Sequence, residues 1–481
     1  MSTASSHPAH HVWWTFAAWG HHTSNHALMA RCLETNPKLT ITFVFHAIYK
    51  EKVEADFQNY PADIRPRLRL HSVGAPDLPP SPETLNVILK DLVDGMKSVD
   101  FETKPTKFIL DQLFGSALTP FLRDKYPGVR VFMTWSGAVT CLYSMVAPAP
   151  NGGADYKKVV EKYAEGKNAE ELDELIVKAV GCRNGALECN GTVVKIPGCP
   201  DVYDYEREQE NVPGPPPGSV LRHVPANMID FAQTADGVIA ATSFVLEAAA
   251  IEMSREHVDV IPAGICVNPR AWKGDVLEDQ DVKAFLDKYA EKSVLLISFG
   301  YVAWEVLLKI QRPFLLASGA SVPGRVSDEL EAKVAASGFG MIRTGWFDQI
   351  GTLSHPAVGW FVTHAGWNSV CESLLCSKPL IAWPLAHTDQ PHVAMRISQG
   401  SPQLGYELLE IRQGHSLRPT KRGVSITGTK GAVEAEMERV LANAFGPDGE
   451  RIRKNVEAVS RELRVENEGP ARAAVEAFAK E

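Results

Sequence analysis

GWFDQIGTLSHPAVGWFVTHAGWNSVCESLLCSKPLIAWPLAHTDQPH, residues 345–392, decides how the rest of the chain is read. Val358 to Thr363 is an apolar run of strand length, and His364-Ala365-Gly366 makes a tight turn. Asn368 to Cys376 then has helical character, and Pro379 to Trp383 is a second strand. A βαβ unit of this form points its helix N-terminus beyond the strand ends. Unpaired N–H groups and the positive end of the helix dipole make that spot receptive to phosphate. Around it the sequence gathers His364, Asn368, Ser369, Glu372, Asp389 and Gln390, with Trp346 and Trp367. Donors suit phosphate, an aromatic face suits a base, and acids and amides suit hydroxyls. Together these groups describe a nucleotide-sugar.

Working outward, the N-terminal half opens with a second βαβ pattern. Val12 to Ala18 and Leu39 to Phe45 read as strands, with a helix predicted from Asn25 to Leu33 between them. The predicted turn, Trp19 to Ser24, places His21 and His22 beyond a strand end, where open α/β sheets keep their chemistry. Lys107 to Leu110 is a short strand ending in Asp111, followed by a helix (Gly115 to Lys125) and a strand (Val129 to Thr134). Asp111 is either a helix N-terminal acid or the partner that orients a histidine. Tyr156 to Val180 is charged and helical, and residues 191–218 form a loop region ending in Pro-Gly-Pro-Pro-Pro-Gly. Gly237 to Thr242 and Val258 to Pro262 close the first half, and Cys266 to Gly274 links it to the second. There, Ser293 to Gly300, Pro313 to Ser318 and Met341 to Trp346 lead as strands into residues 345–392. Several of these residues have a purely structural reading too. Ser369 and Glu372 fit a helix capping box, Trp346 a strand-end core aromatic, and Asp389-Gln390 a polar loop.

The composition excludes several classes. A chain of 481 residues with 45% hydrophobic and 22% charged content is sized for two or three globular units. A net charge of −9 gives no footprint for nucleic acid or an anionic membrane surface. The first residues lack a basic-then-apolar signal pattern, and no apolar run reaches spanning length, so a cytoplasmic location is expected. Eight scattered cysteines at spacings unlike a zinc site are expected as free thiols. Neither Gly20 nor Gly300 begins a G-x-G-x-x-G fingerprint, which disfavours a dinucleotide oxidoreductase.

The stretch resembles the signature of the family 1 UDP-glycosyltransferases of plants and fungi. The matches are Trp346 and Gln349, His364, Gly366 to Ser369, Glu372, Trp383-Pro384 and Asp389-Gln390. Asp348 stands in place of proline, Ala365 in place of cysteine, and Val393 where asparagine is common. The resemblance implies the GT-B arrangement, two Rossmann-like α/β domains facing across a cleft. Its units would be an acceptor domain over 1–265, a linker over 266–292, a donor domain over 293–464 and a returning helix over 465–481. It implies that Trp346 stacks on uracil and Gln349 bonds the base edge. Glu372 would hold the ribose hydroxyls, while His364, Asn368, Ser369 and the helix N-terminus with Gly366 and Trp367 face the diphosphate. Asp389 and Gln390 would bond the sugar, with glucose expected over galactose because galactose-preferring relatives often carry histidine after the aspartate. The reaction implied is metal-independent, inverting transfer from a UDP-sugar to a hydroxyl of a small acceptor, with no cofactor and a monomeric enzyme. Few charges line the first-half strands, so an apolar acceptor is expected.

The family's base lies in the first turn. The Gly20-His21 pair points to His21, whereas counting register from His11 and from Leu33 falls on His22, which is the expectation taken here, with Asp111 as its partner. A second departure concerns residues 301–312, which must join two parallel strands with about the dozen residues that a crossover requires at minimum. Either the family's helix is shrunken here, or a segment is missing. Two rival readings follow, a UDP-sugar-binding protein without catalysis and another GT-B enzyme acting on UDP-sugars.

Overall fold

The computed structural model describes residues 9–78, 84–148, 161, 164–180, 191–207, 218–298, 304–318, 327–345, 347–385, 389–412 and 417–480. Thirteen strands form two parallel sheets. The first contains β1 (His10–Trp14), β2 (Thr40–His46), β3 (Leu68–Val73), β4 (Lys107–Asp111), β5 (Arg130–Trp135), β6 (Val238–Ala240) and β7 (Val260–Pro262). Its order is β3-β2-β1-β4-β5-β6-β7. The second contains β8 (Val294–Ile297), β9 (Phe314–Ser318), β10 (Gly340–Thr344), β11 (Val358–Thr363), β12 (Leu380–Ala382) and β13 (Gly405–Glu407), in the order β10-β9-β8-β11-β12-β13. Both orders reverse beside their first strand, so each sheet has a switch point where the C-terminal strand ends open a crevice.

The sequence dictates this layering. Inner strands such as VWW at Val12–Trp14 are apolar at every position because helices cover both faces of a parallel sheet. Val12 and Trp14 join Phe108, Leu110, Val131 and Met133 on one face. Trp13 joins Ile41, Phe43, Ile109 and Phe132 on the other. The second sheet centres one continuous core with Leu295, Trp360, Phe361, Leu374 and Ile381. Among the described residues, no helix is long and apolar enough to cross a membrane. The six described cysteines are free thiols.

Two helices bind the halves together. Helix α8 (Pro447–Glu468) packs in the second domain, yet its Glu466 accepts the Phe244 N–H of the first domain at 2.7 Å and also bonds the Ser243 hydroxyl. Helix α9 (Pro470–Lys480) lies on the first domain, where Asn36 Nδ2 donates to the Ala479 carbonyl at 2.7 Å. Buried Lys107 reaches the Phe478 carbonyl. From the first domain's insert, a short hairpin of Val193–Val194 with Val202–Tyr203 packs on Met395 of the second domain.

Among the described residues between β8 and β9 lies one short helix, α4 (Trp304–Ile310), and β8 and β9 pair in parallel register from Leu295–Phe314 to Ile297–Leu316. Val306 and Leu307 are buried by this helix of about two turns. The edge beyond it is lightly held. The helix Asp328–Ser337 buries only Leu330 and Val334, and no residue of β10 is fully buried. Amide exchange is therefore expected to be faster over 304–310 and 328–344 than in β8 and β11, because opening free energy follows apolar burial. Equal protection across these segments, measured by hydrogen exchange, would refute that ranking.

Candidate active site

The crevice between the two sheets is lined by the ends of β1, β4, β5 and β11 and by two helix N-termini. Helix α1 (Trp19–Thr35) begins six residues before the start predicted from sequence, so His21 and His22 sit on its first turn and not in a loop. Successive residues of a helix point about 100° apart, so the two imidazoles face different surroundings. His21 points to the strand ends, where its Nδ1 lies 2.8 Å from Asp111 Oδ2. Its side chain keeps 19% of its surface exposed against 1% for Asp111. The other Asp111 oxygen accepts the Leu113 N–H at 2.9 Å, which fixes the carboxylate. Burial disfavours the His21 charge, but the Asp111 charge and hydrogen bond outweigh it, helped by Asp389, and the net pKa is raised.

His22 corrects the register expectation. It is fully buried, stacked on Trp19 at 5.7 Å and edge-on to Tyr49, Phe43 and Phe45. Neither ring nitrogen has a hydrogen-bond partner, and burial followed by the charges of His26, His21 and Lys52 drives its pKa well down. His22 and His26 are i and i+4 on the face that covers β2, which makes both core residues. The expected pairing of His22 with Asp111 is thus not formed, and His21 makes that contact instead.

Across the crevice, α6 (Trp367–Leu375) starts directly after the turn from β11. Ala365 takes a left-handed φ of 65°, a conformation that costs a non-glycine residue about 1–2 kcal/mol and persists where packing enforces it. A Cβ on Gly366 would collide with the His364 imidazole, so a larger residue would push that ring aside. His364 is partly buried, and burial lowers its pKa. No side chain caps α6, so its first N–H groups are open towards the crevice, apart from Trp367 N–H, which donates to Asp389 Oδ2 at 3.2 Å. The capping-box reading of Ser369 and Glu372 is not realised. Ser369 lies within the helix, and both side chains receive Gln349 Nε2, at 3.3 Å on Ser369 Oγ and 2.7 Å on Glu372 Oε2. Burial raises the Glu372 pKa to about 7 against the Gln349 hydrogen bond, with Asp56 and Asp348 adding to the rise.

Two contacts cross the crevice at this point. Asn368 Nδ2 donates to the Gly20 carbonyl at 2.6 Å, and the Trp367 indole N–H donates to the Ala241 carbonyl at 2.6 Å. Gln390 opens α7 (Gln390–Gln399) and its Oε1 accepts the Leu385 N–H at 2.9 Å. The structure thus gathers His21, Asp111, Gly366, Trp367, Asn368 and Asp389 around one opening, with Gln349, Ser369 and Glu372 along α6. Trp346 lies outside the described residues. Among the described residues, no three His, Cys, Asp or Glu side chains form a metal-binding group.

Asp348, a departure from the family signature, has a structural role that sequence reasoning missed. It caps α5 (Gln349–Ser354) through the Gly351 N–H at 3.1 Å and accepts Arg270 Nη2 at 2.9 Å. Val393 is buried in the second domain's core.

A model of the UDP-glucoronosyl and UDP-glucosyl transferase family matches residues 241–408. UDP-glycosyltransferase eriJ of Hericium erinaceus is 32% identical over 319 residues, which cover 59% of this chain and 61% of that protein. UDP-glycosyltransferase 13 of Pueraria montana var. lobata is 30% identical over 42% of this chain and 51% of its own. The chain thus spans about half to three fifths of the length of these curated relatives. Among solved structures, a UDP-glucosyltransferase from Polygonum tinctorium in complex with 3,4-dichloroaniline superposes with a TM-score of 0.67 at 20% identity, covering 99% of each chain. A Medicago truncatula structure complexed with UDP-glucose gives 0.71 at 18% identity, over 98% of this chain and 97% of that one. Two Rossmann-like domains facing across a cleft, shared over nearly the full length, define a GT-B protein. On the donor side, residues 241–408 match the UDP-glucoronosyl and UDP-glucosyl transferase family, to which the curated relatives are similar in sequence.

Proposed function

We propose that the chain transfers a sugar, glucose by preference, from a UDP-sugar to a hydroxyl group of a small apolar acceptor. The observation that carries this reading is the Asn368–Gly20 hydrogen bond, which sets the His21–Asp111 pair directly against the open N-terminus of α6. Asp111 accepts the Nδ1–H of His21, so the free Nε2 takes the acceptor's proton as its oxygen attacks the anomeric carbon. The bond to UDP breaks on the opposite side of that carbon. An α-linked donor therefore gives a β-glycoside. His364 and the α6 N–H groups receive the diphosphate, where fixed donors stabilise the charge that develops on departure. Support comes also from the relatives, since the Polygonum enzyme is described as capable of glucosylating indoxyl, an aromatic alcohol. The alternative, a UDP-sugar-binding protein with impaired or no catalysis, rests on the short 301–312 crossover. We further place the protein in the cytoplasm as a monomer. Incubation with UDP-glucose and a panel of hydrophobic alcohols, read by mass spectrometry, tests the reading. A mass gain of one hexose on an alcohol supports it, and binding of UDP with no transfer to any alcohol would sink it.

The raised pKa of Glu372 adds a pH dependence. Ribose hydroxyls donate best to the ionised carboxylate, whose population drops from about nine tenths at pH 8 to about one tenth at pH 6 for a pKa near 7. UDP-glucose affinity is accordingly expected to weaken about tenfold between those pH values, since its diphosphate diester does not titrate there. Glu372→Gln should bind with an affinity flat in pH. A wild-type profile as flat as the variant's would refute the assignment.

A further inference from the structure

Near its start the interdomain linker is tied to both domains. Asn268 caps a short linker helix, its Oδ1 accepting the Arg270 N–H at 3.0 Å. Its Nδ2 donates to Asp56 Oδ1 at 2.8 Å, and the other Asp56 oxygen holds His26 Nδ1 of α1 at 2.7 Å. From the same linker, Arg270 pairs with Asp348 at 2.9 Å and also contacts Asp275. Asp348, buried to 2% exposure, receives the Gly351 N–H and the Glu278 N–H at 3.4 Å. Gln349 follows it directly, and its amide donates to Glu372 and Ser369. Hydrogen bonds, joined by the Arg270 side chain and the Asp348–Gln349 peptide link, therefore connect α1, which carries His21, through the linker to Glu372.

We infer that the Arg270–Asp348 pair is a positioning strut that fixes the backbone of Gln349 to the linker and so sets where its side chain meets the nucleoside. This rests on the reading under Proposed function. Glu372 Oε1 is left for the ribose hydroxyls while Gln349 holds Oε2, and the nearby base edge lies within reach of the Gln349 side chain. Its reach depends on where Asp348 holds the first turn of α5. A six-residue helix cannot hold that turn by its own hydrogen bonds, so the cap and the guanidinium do. Neither Arg270 nor Asp348 touches the donor; both act through Gln349.

Calorimetric titration with UDP separates the possibilities, using the full chain and the variants Arg270→Met, Asp348→Asn, Arg270→Lys and the Arg270→Met/Asp348→Asn pair. Each of the first two is expected to raise the Kd for UDP about tenfold, as loss of one charge-assisted contact would. The double variant should be no weaker than the worse single, because both remove one strut. Arg270→Lys, which keeps the charge and folds most like the parent, should fall between. Steady-state kinetics should show the loss in the donor KM, with the acceptor KM unchanged. Single variants with lowered melting temperature and unaltered Kd would make the pair merely structural, and losses that multiply in the double variant would also overturn the strut. Failure of the unsubstituted protein to bind UDP would overturn the proposed function itself and this inference with it.

Discussion

His21→Ala is expected to lower turnover by about 10²–10⁴-fold, the usual contribution of a positioned general base. The affinity for UDP should stay nearly intact, because Gln349, Glu372 and the α6 N-terminus all belong to the second domain. The contrast with His22 makes the test sharp. His22→Phe keeps an aromatic ring among Trp19, Phe43 and Tyr49 and removes two unpartnered nitrogens, so turnover should change by less than about threefold. The pH profile adds a second mark. His21 must be neutral to accept a proton, and its pKa is raised, so activity should fall as pH drops through a value above that of free histidine. A crippled His22 variant beside an active His21→Ala would overturn the assignment.

That assignment shows where sequence reading succeeds and where it stops. The second sheet was legible because β8, β9 and β11 are apolar runs of strand length, and the turn at His364 to Gly366 carries its own signals. The early start of α1 was not legible. Gly20, Thr23 and Ser24 are weak helix formers, and the first turn forms because His22 and His26 bury against β2. The strand β3 escaped notice because it is an edge strand, LRLHSV, with exposed arginine and histidine that blur its alternation. Contacts such as Arg270 with Asp348 join residues 78 positions apart, and no local pattern announces them. The family signature proposes the donor residues, and the capping-box alternative was decided by where α6 begins, a one-turn question that sequence periodicity leaves open.

Glu247 should produce the largest effect on stability. It sits at a kink in the helix Phe244–Ser254, with φ −134° and ψ 29°, and is 5% exposed. Its carboxylate accepts four hydrogen bonds: the Val139 N–H at 2.9 Å, the Thr140 N–H at 2.9 Å, the Thr140 hydroxyl at 2.7 Å and the Thr242 hydroxyl at 2.6 Å. It thus serves as the cap of the helix Val139–Val146, whose own N-cap residue, Ala138, has nothing to offer. Glu247→Leu strands two buried amides and two hydroxyls, at about 1–3 kcal/mol each, so a total loss of about 4 kcal/mol or more is expected. For a domain of this size that lowers the first melting transition by roughly 8–16 °C. Glu247→Gln retains one accepting oxygen and should lose about half as much. The consequence reaches the crevice, because the loop this carboxylate holds includes Gly137, which faces Asp389, and Ser136, whose N–H binds Gln112 at 2.8 Å beside Asp111. Turnover at permissive temperature should therefore drop in Glu247→Leu while UDP affinity holds. A melting shift below about 2 °C, measured by calorimetry, would mean that water replaces the carboxylate and that the helix does not depend on it.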